Sequence, residues 1–223
     1  MLTAPFDLAA AEWVAEPFPH LRFAERAGFT DAVLARLVED FPIGAPLTES
    51  TRHYGGDKVY EMRTVTVYHC GQWRPAADEL APRLRQFLAE LVDSDYRHRL
   101  AGLLGLPVGP VDLEVRLSAY PRGGWLSRHT DRPDKLFSQN IYLCPGWRPE
   151  WGGDLALHTG EHVHEPAAVF TPGAGNALAF ARSDRSWHEV RPVSPLAEYP
   201  RRTVLVHGYR SAKYLDHRPK EMP

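Results

Sequence analysis

The feature that most constrains the fold is the texture of the chain after Pro107. Short runs rich in β-branched and aromatic residues recur there at regular spacing, separated by Gly, Pro and Asp turns. The runs are 111–120, 124–130, 137–143, 153–158, 166–171, 175–181, 186–193 and 201–209. Eight strands in two sheets is the count of a jelly roll, so the spacing predicts a double-stranded β-helix of the cupin-like kind.

The first half reads differently. From Phe29 to Phe41, residues Val33, Leu34, Leu37, Val38 and Phe41 share one helical face, with Thr30 placed to cap the start. A second helix begins near Asp78 and carries Leu80, Leu84, Phe87, Leu88 and Leu91, with Pro82 tolerable in or near its first turn. Ser94 caps a third, lined by Leu100, Leu103 and Leu104 and ended by Gly105 and Pro107. The largely polar segment Thr48 to Gln72 lies between helices. The expectation is one domain over 1–223, mainly β with supporting α-helices: 1–107 mainly helical support, 108–210 the jelly-roll core, and 211–223 a loosely held polar tail.

A net charge of -2 gives no general attraction to phosphate backbones or anionic membranes, so nucleic acid is not the expected partner. No run approaches the ~20 apolar residues of a membrane span, and no basic segment followed by an apolar run opens the chain. A cytoplasmic location is expected. Cys70 and Cys144 lack metal-type spacing and read as reduced, structural thiols. The basic residues are 22 Arg and 4 Lys, a bias that points to a GC-rich bacterial genome. Oligomeric state is not set by any of this.

His129 and Asp131 are two apart on a predicted strand, so both side chains leave on one face. His188, on a later predicted strand, supplies a third ligand. Two imidazoles and a carboxylate leave positions open on Fe(II) for a co-substrate and oxygen. A rival cluster, His158, His162 and His164, lies in or beside the turn from Thr159 to Pro166 and reads as a solvated loop.

Tyr120-Pro121-Arg122-Gly123-Gly124 leads into His129-Thr130-Asp131. Ile141-Tyr142-Leu143 then runs through Trp147 to Trp151-Gly152-Gly153-Asp154-Leu155, and 175–180, His188-Glu189-Val190 with Pro192 and Arg201-Arg202-Thr203-Val204 follow. In these motifs and their order, Tyr120 to Tyr209 resembles the prolyl-hydroxylase-like branch of the 2-oxoglutarate and Fe(II)-dependent oxygenases. The helical first half resembles that family's supporting helices only broadly.

The resemblance implies a dioxygenase with Fe(II) on His129, Asp131 and His188, 2-oxoglutarate as co-substrate, O2, and ascorbate as a candidate stimulant. It implies Arg201 as the anchor of the distal carboxylate, with Thr203 beside it on the same face; Arg's planar fork suits that task. Arg202 points to the opposite face, and a one-residue slip of register would exchange the two. Tyr142 and Tyr120 join the cofactor-binding set. Arg116, Ser118 and Tyr120 share a strand face that either lines a substrate pocket or lies exposed on the sheet.

The implied reaction yields succinate, CO2 and a hydroxylated C–H bond. Asp131 points to hydroxylation or another oxygenase outcome, because related halogenases carry Gly or Ala at that position. The segment 51–73, with Arg52, His53, Tyr54, Lys58, Tyr60 and Arg63, is either a lid or a plain hairpin, and Arg52 and Tyr60 are candidate substrate contacts. A small domain favours a free amino acid or other small metabolite, as in a bacterial natural-product pathway. A peptidyl or carrier-protein-bound residue is the alternative within the enzyme class. A non-catalytic cupin-like module holding a metal or sugar is the alternative outside it, and the Arg201–Thr203 strand argues against that reading.

Overall fold

In the computed structural model, the described residues are 7–23, 29–44, 46–54, 58–107 and 111–210, with the backbone alone described for 48–54 and Lys58. Each of the eight predicted runs forms a strand, and the N-terminal half adds five more. The strands are β1 (Glu12–Val14), β2 (His20–Phe23), β3 (Thr48–Tyr54), β4 (Lys58–His69), β5 (Gln72–Trp73), β6 (Val111–Tyr120), β7 (Trp125–His129), β8 (Lys135–Tyr142), β9 (Leu155–His158), β10 (Ala168–Phe170), β11 (Ala177–Ala181), β12 (Trp187–Val190) and β13 (Arg201–Arg210). The helices are α1 (Asp31–Asp40), α2 (Pro82–Leu91) and α3 (Ser94–Leu103).

The strands pair antiparallel in the order β1-β2-β11-β8-β13-β6-β4-β7-β12-β9-β10, with β3 and β5 both on β4. β4 is the corner of this curled sheet, pairing with β6 along one stretch and with β7 at Tyr60 and Glu61. Helices are therefore not the whole of residues 1–107: β3 and β4 pair antiparallel within the barrel wall, in keeping with the hairpin alternative for 51–73. Alternation in β4 runs Tyr60, Met62, Thr64, Thr66 against Val65 and Val67, a period of two that the polar composition of the segment obscured.

Odd-numbered residues of β6 (Val111, Leu113, Val115, Leu117) join Val204, Val206, Phe137 and Ile141 in the main core, against Leu37 of α1, Leu84, Phe87 and Leu88 of α2 and Leu100 of α3. Each such side chain contributes about 1.5–3 kcal/mol by leaving water. Thr30 caps α1 by accepting from Val33 N, Pro82 occupies the first turn of α2, and Asp93, not Ser94, caps α3. Arg83 locks α2 to α1 by donating two hydrogen bonds, at 2.8 and 2.7 Å, to Asp40.

Even-numbered residues of β6 face the barrel interior. Their neighbours across the sheet alternate in step: Ser118 pairs with Thr203, which pairs with Tyr142, and Tyr120 pairs with Arg201. A second apolar cluster, including Phe18, Tyr60, Met62, Leu157, Phe180 and Val190, fills the rest of that interior. No described helix is long and apolar enough to cross a membrane. The tail 211–223 lies outside the described residues.

Candidate active site

β7 and β12 are adjacent antiparallel strands, and their register sets His129 opposite His188. The two rings lie 4.2 Å apart between centroids. Asp131 falls two residues beyond the end of β7, so the expectation that it shares a strand with His129 is corrected: it sits in the loop leading to β8. That loop is held by its own chemistry. Arg132 grips Asp134 through two hydrogen bonds, and Arg182 Nε donates to the Asp131 carbonyl at 3.1 Å.

One ligand atom from each of His129, Asp131 and His188 lies within 4.8 Å of the others, and all three residues are buried. Asp131 Oδ1 is 3.8 Å from His129 Nε2. Each histidine turns Nδ1 to the carbonyl of the residue two before it, Ser127 O at 2.7 Å and Ser186 O at 2.9 Å. A carbonyl accepts only from Nδ1–H, which places the lone pair on Nε2, the tautomer that coordinates metal. Two neutral imidazoles and a carboxylate at this spacing fit a ferrous ion.

Across the interior, Arg201 is 1% exposed and is the largest fully buried side chain. Its Nε donates to Gly153 O at 2.5 Å and its Nη1 to Thr203 Oγ1 at 2.8 Å. The rings of Tyr120 and Tyr142 flank the guanidinium, each with its centroid 5.0 Å from the central carbon. Arg201 Nη2 and the Tyr142 hydroxyl are both buried without a hydrogen-bond partner. Two orphaned donors on adjacent residues call for an acceptor with two oxygens. Burial pushes the Tyr142 hydroxyl up to about 12, partly offset by the Arg201 charge, so it remains a donor.

The Gly-Gly pair explains itself here. Gly152 and Gly153 both have positive φ, a Cβ on Gly152 would lie 2.5 Å from Pro192 O, and a Cβ on Gly153 would lie 3.1 Å from Arg201 Cδ. Only glycine leaves room for the strap that carries the Gly153 carbonyl to the guanidinium. Arg202 leaves on the other face, where it is buried and paired. Its Nη1 donates to Val38 O and its guanidinium stacks over Tyr199.

The remaining candidates scatter. Ser118 is fully buried on the interior wall and within 3.1 Å of Thr64 Oγ1; Arg116, one pair along, contacts Glu114 at 3.0 Å. Tyr60 is 3% exposed in the apolar cluster with Tyr120 and Met62. The side chain of Arg52 lies outside the described residues. The rival histidines do not converge: His158 is fully buried on β9, with Nε2 3.2 Å from Glu189 Oε1, whereas His162 and His164 are exposed. The solvated-loop reading of His158 is thereby corrected; β9 carries it beneath the turn.

Sequence reasoning passed over Lys135 and Ser138, which bind the Asp131 carboxylate from β8. It also passed over Glu114, His207 and Tyr209, where His207 Nδ1 and Tyr209 Oη meet Glu114 Oε2 at 3.3 and 3.2 Å. The available signal was a Glu and a His directly opposite each other on paired strands, on the same face as Ser118 and Thr203.

Residues 115–208 match the model of the 2OG-Fe(II) oxygenase superfamily. No curated protein matches the chain in sequence. Among solved structures, a Pseudomonas putida prolyl-4-hydroxylase is similar at 22% identity and TM-score 0.58, over 92% of this chain and 95% of that one. A Burkholderia pseudomallei oxidoreductase of the 2OG-Fe(II) oxygenase family is similar at 20% identity and TM-score 0.58, over 85% and 84%. A prolyl hydroxylase from Trichoplax adhaerens, in complex with a hypoxia inducible factor peptide fragment, is similar at 20% identity and TM-score 0.55, over 80% and 77%. These structures share the fold, and the superfamily match spans the segment that carries His129, Asp131, His188 and Arg201. The segment 115–208 carries the 2OG-Fe(II) oxygenase superfamily match on a fold shared with prolyl hydroxylases, which fits a dioxygenase that uses Fe(II), 2-oxoglutarate and O2.

Proposed function

We propose that the protein hydroxylates an unactivated C–H bond of an amino acid or other small metabolite. His129, Asp131 and His188 are assigned as iron ligands, and Arg201, Thr203, Tyr142 and Tyr120 as the 2-oxoglutarate site. The observation that carries this reading is the orphaned pair, Arg201 Nη2 and Tyr142 Oη, buried beside Tyr120, which shares an apolar cluster with Phe180, the ring packed on His188. Such donors are costly to leave unmade, and a carboxylate satisfies both.

When bound, iron and 2-oxoglutarate supply the oxidising chemistry: O2 and the keto acid become succinate and CO2, with one oxygen atom passing to the substrate. The chain's own groups do the rest. Thr203 and Gly153 fix the plane of the Arg201 guanidinium, so the carboxylate meets a set fork. The stacked Tyr120 and Tyr142 rings exclude water around it and strengthen that charge contact. Arg116, Ser118, Arg52 and Tyr60 are assigned to the substrate side, with Arg116 held by Glu114 at the polar end of the interior.

The test is a metabolite screen in which succinate release is coupled to a mass gain of one oxygen. It carries a second arm of peptidyl-proline substrates, because the Trichoplax relative was solved with a peptide. Hydroxylation of free amino acids or metabolites is the expected result, and turnover confined to the peptide arm would overturn the choice of substrate. Anaerobic Fe(II) plus 2-oxoglutarate should give the weak visible charge-transfer band of the chelate; a colourless mixture would refute the reaction class.

A further inference from the structure

Both oxygens of Asp131 are engaged by groups on the strand that follows it. Lys135 Nζ lies 2.7 Å from Oδ1, and Ser138 Oγ donates to Oδ2 at 2.7 Å. Lys135 is 8% exposed and Ser138 4%. Oδ1 is also the oxygen nearer His129 Nε2, so the ammonium rests against the ligand atom that faces the imidazoles.

We propose that Lys135 sets the charge of the iron site and that Ser138 orients its carboxylate, both acting through Asp131 as positioning residues; this rests on the ligand assignment above. A divalent ion on two neutral imidazoles and one carboxylate carries a single net positive charge. With the ammonium alongside, the metal end carries two, which adds to the Arg201 charge at the other end in attracting the dianionic keto acid. Glu114, another buried carboxylate there, contacts Arg116, His207 and Tyr209 and also lies within the field of the ammonium, so it offsets only part of that charge.

The two residues therefore act with opposite sign on the metal. The ammonium repels the incoming divalent ion and attracts the keto acid, since Coulomb energy in a buried site falls off slowly with distance. The Ser138 hydroxyl carries no charge; it ties Oδ2 and keeps the carboxylate from rotating to offer both oxygens to the ion, which preserves an open coordination position. Loss of such an orienting partner typically weakens metal binding 10–100-fold. A purely structural role for Lys135 would give it the same sign as Ser138.

The experiment compares wild type with Lys135→Met, Lys135→Gln, Lys135→Arg and Ser138→Ala, all anaerobic and each checked for folding by thermal melting. Mn(II) affinity is measured by calorimetry. The requirement for 2-oxoglutarate is read from the charge-transfer band of the Fe(II) complex. Lys135→Met and Lys135→Gln are expected to bind Mn(II) about tenfold more tightly or better, and to need about tenfold more 2-oxoglutarate. Lys135→Arg should restore both values. Ser138→Ala should bind Mn(II) about tenfold more weakly, with its 2-oxoglutarate requirement near wild type.

Metal binding that weakens or stays level in both neutral Lys135 variants overturns the proposal, as does an unchanged 2-oxoglutarate requirement. A wild-type protein that binds no Mn(II) and gives no band would overturn the iron assignment itself, and this inference with it.

Discussion

Consider replacing Arg201 with Met. The guanidinium makes hydrogen bonds to Gly153 O and Thr203 Oγ1, and neither partner is a carboxylate. Losing two such bonds from a charged donor costs about 1.5–3 kcal/mol each, while removing a buried cation recovers part of its desolvation cost. The two effects offset, so the melting temperature without ligand should move by only a few degrees. Binding of 2-oxoglutarate has no such offset. Removing one partner of a buried charge pair costs about 2–5 kcal/mol, and taking about 3 kcal/mol raises the 2-oxoglutarate requirement roughly 10²-fold.

Two readouts separate these outcomes. Titrating 2-oxoglutarate into the anaerobic Fe(II) protein and following the charge-transfer band gives the affinity directly. Thermal melting with and without the keto acid gives the linkage: a hundredfold excess over the dissociation constant stabilises wild type by about 2.7 kcal/mol, and Arg201→Met should lose most of that gain at the same concentration. Arg202→Met is the control. It removes the bond to Val38 O and the stack on Tyr199, so it should lower the melting temperature while leaving the 2-oxoglutarate requirement within about threefold. The reasoning is refuted if Arg202→Met impairs 2-oxoglutarate binding more than Arg201→Met does.

His129→Ala and His188→Ala should each remove Mn(II) binding and succinate formation while retaining the fold; wild-type turnover in either would reject the ligand set. Burial and the nearby Lys135 charge push His207 down to about 4, below its ordinary 6.5. A depressed histidine stabilises the fold fully above 6.5, and that contribution is lost as pH falls through 6.5 toward 4. Glu114 is held low by the Arg116 and His207 charges against the opposing effect of burial, and its contribution disappears only at more acidic pH. Urea unfolding between pH 4.5 and 6.5 should therefore show stability rising by on the order of 1 kcal/mol per pH unit, with a shallower slope in His207→Gln. Equal slopes would remove His207 from the account. Burial pushes the Cys144 thiol up to about 11, whereas Cys70 is only half-buried. A thiol reagent at pH 8 should label Cys70 first and Cys144 only in denaturant, as mass spectrometry of the labelled peptides can establish.

Much of the barrel was legible because its strands obey local rules. β6 to β13 alternate or run apolar between turn residues, and a period of two needs no tertiary information. For β4 the choice between lid and hairpin stayed open because its inward residues include Thr64 and Thr66, whose polarity erased the contrast between faces. The three candidate metal ligands were legible by type and order. Asp131 was misplaced by local reasoning, since the Arg132–Asp134 turn ends the strand early and brings the carboxylate round by loop geometry.

By itself, then, the sequence determined which residues of the second half are strands, where the amphipathic helices lie, and which side chains have metal-binding chemistry. Tertiary structure alone decided that Arg201 and not Arg202 faces the interior, because sheet register assigns alternate residues to opposite sides and a one-residue slip is invisible in the sequence. It also decided that Lys135 and Ser138 meet Asp131. Those contacts depend on how a turn folds back onto the next strand, and no periodicity encodes where one carboxylate will find its donors.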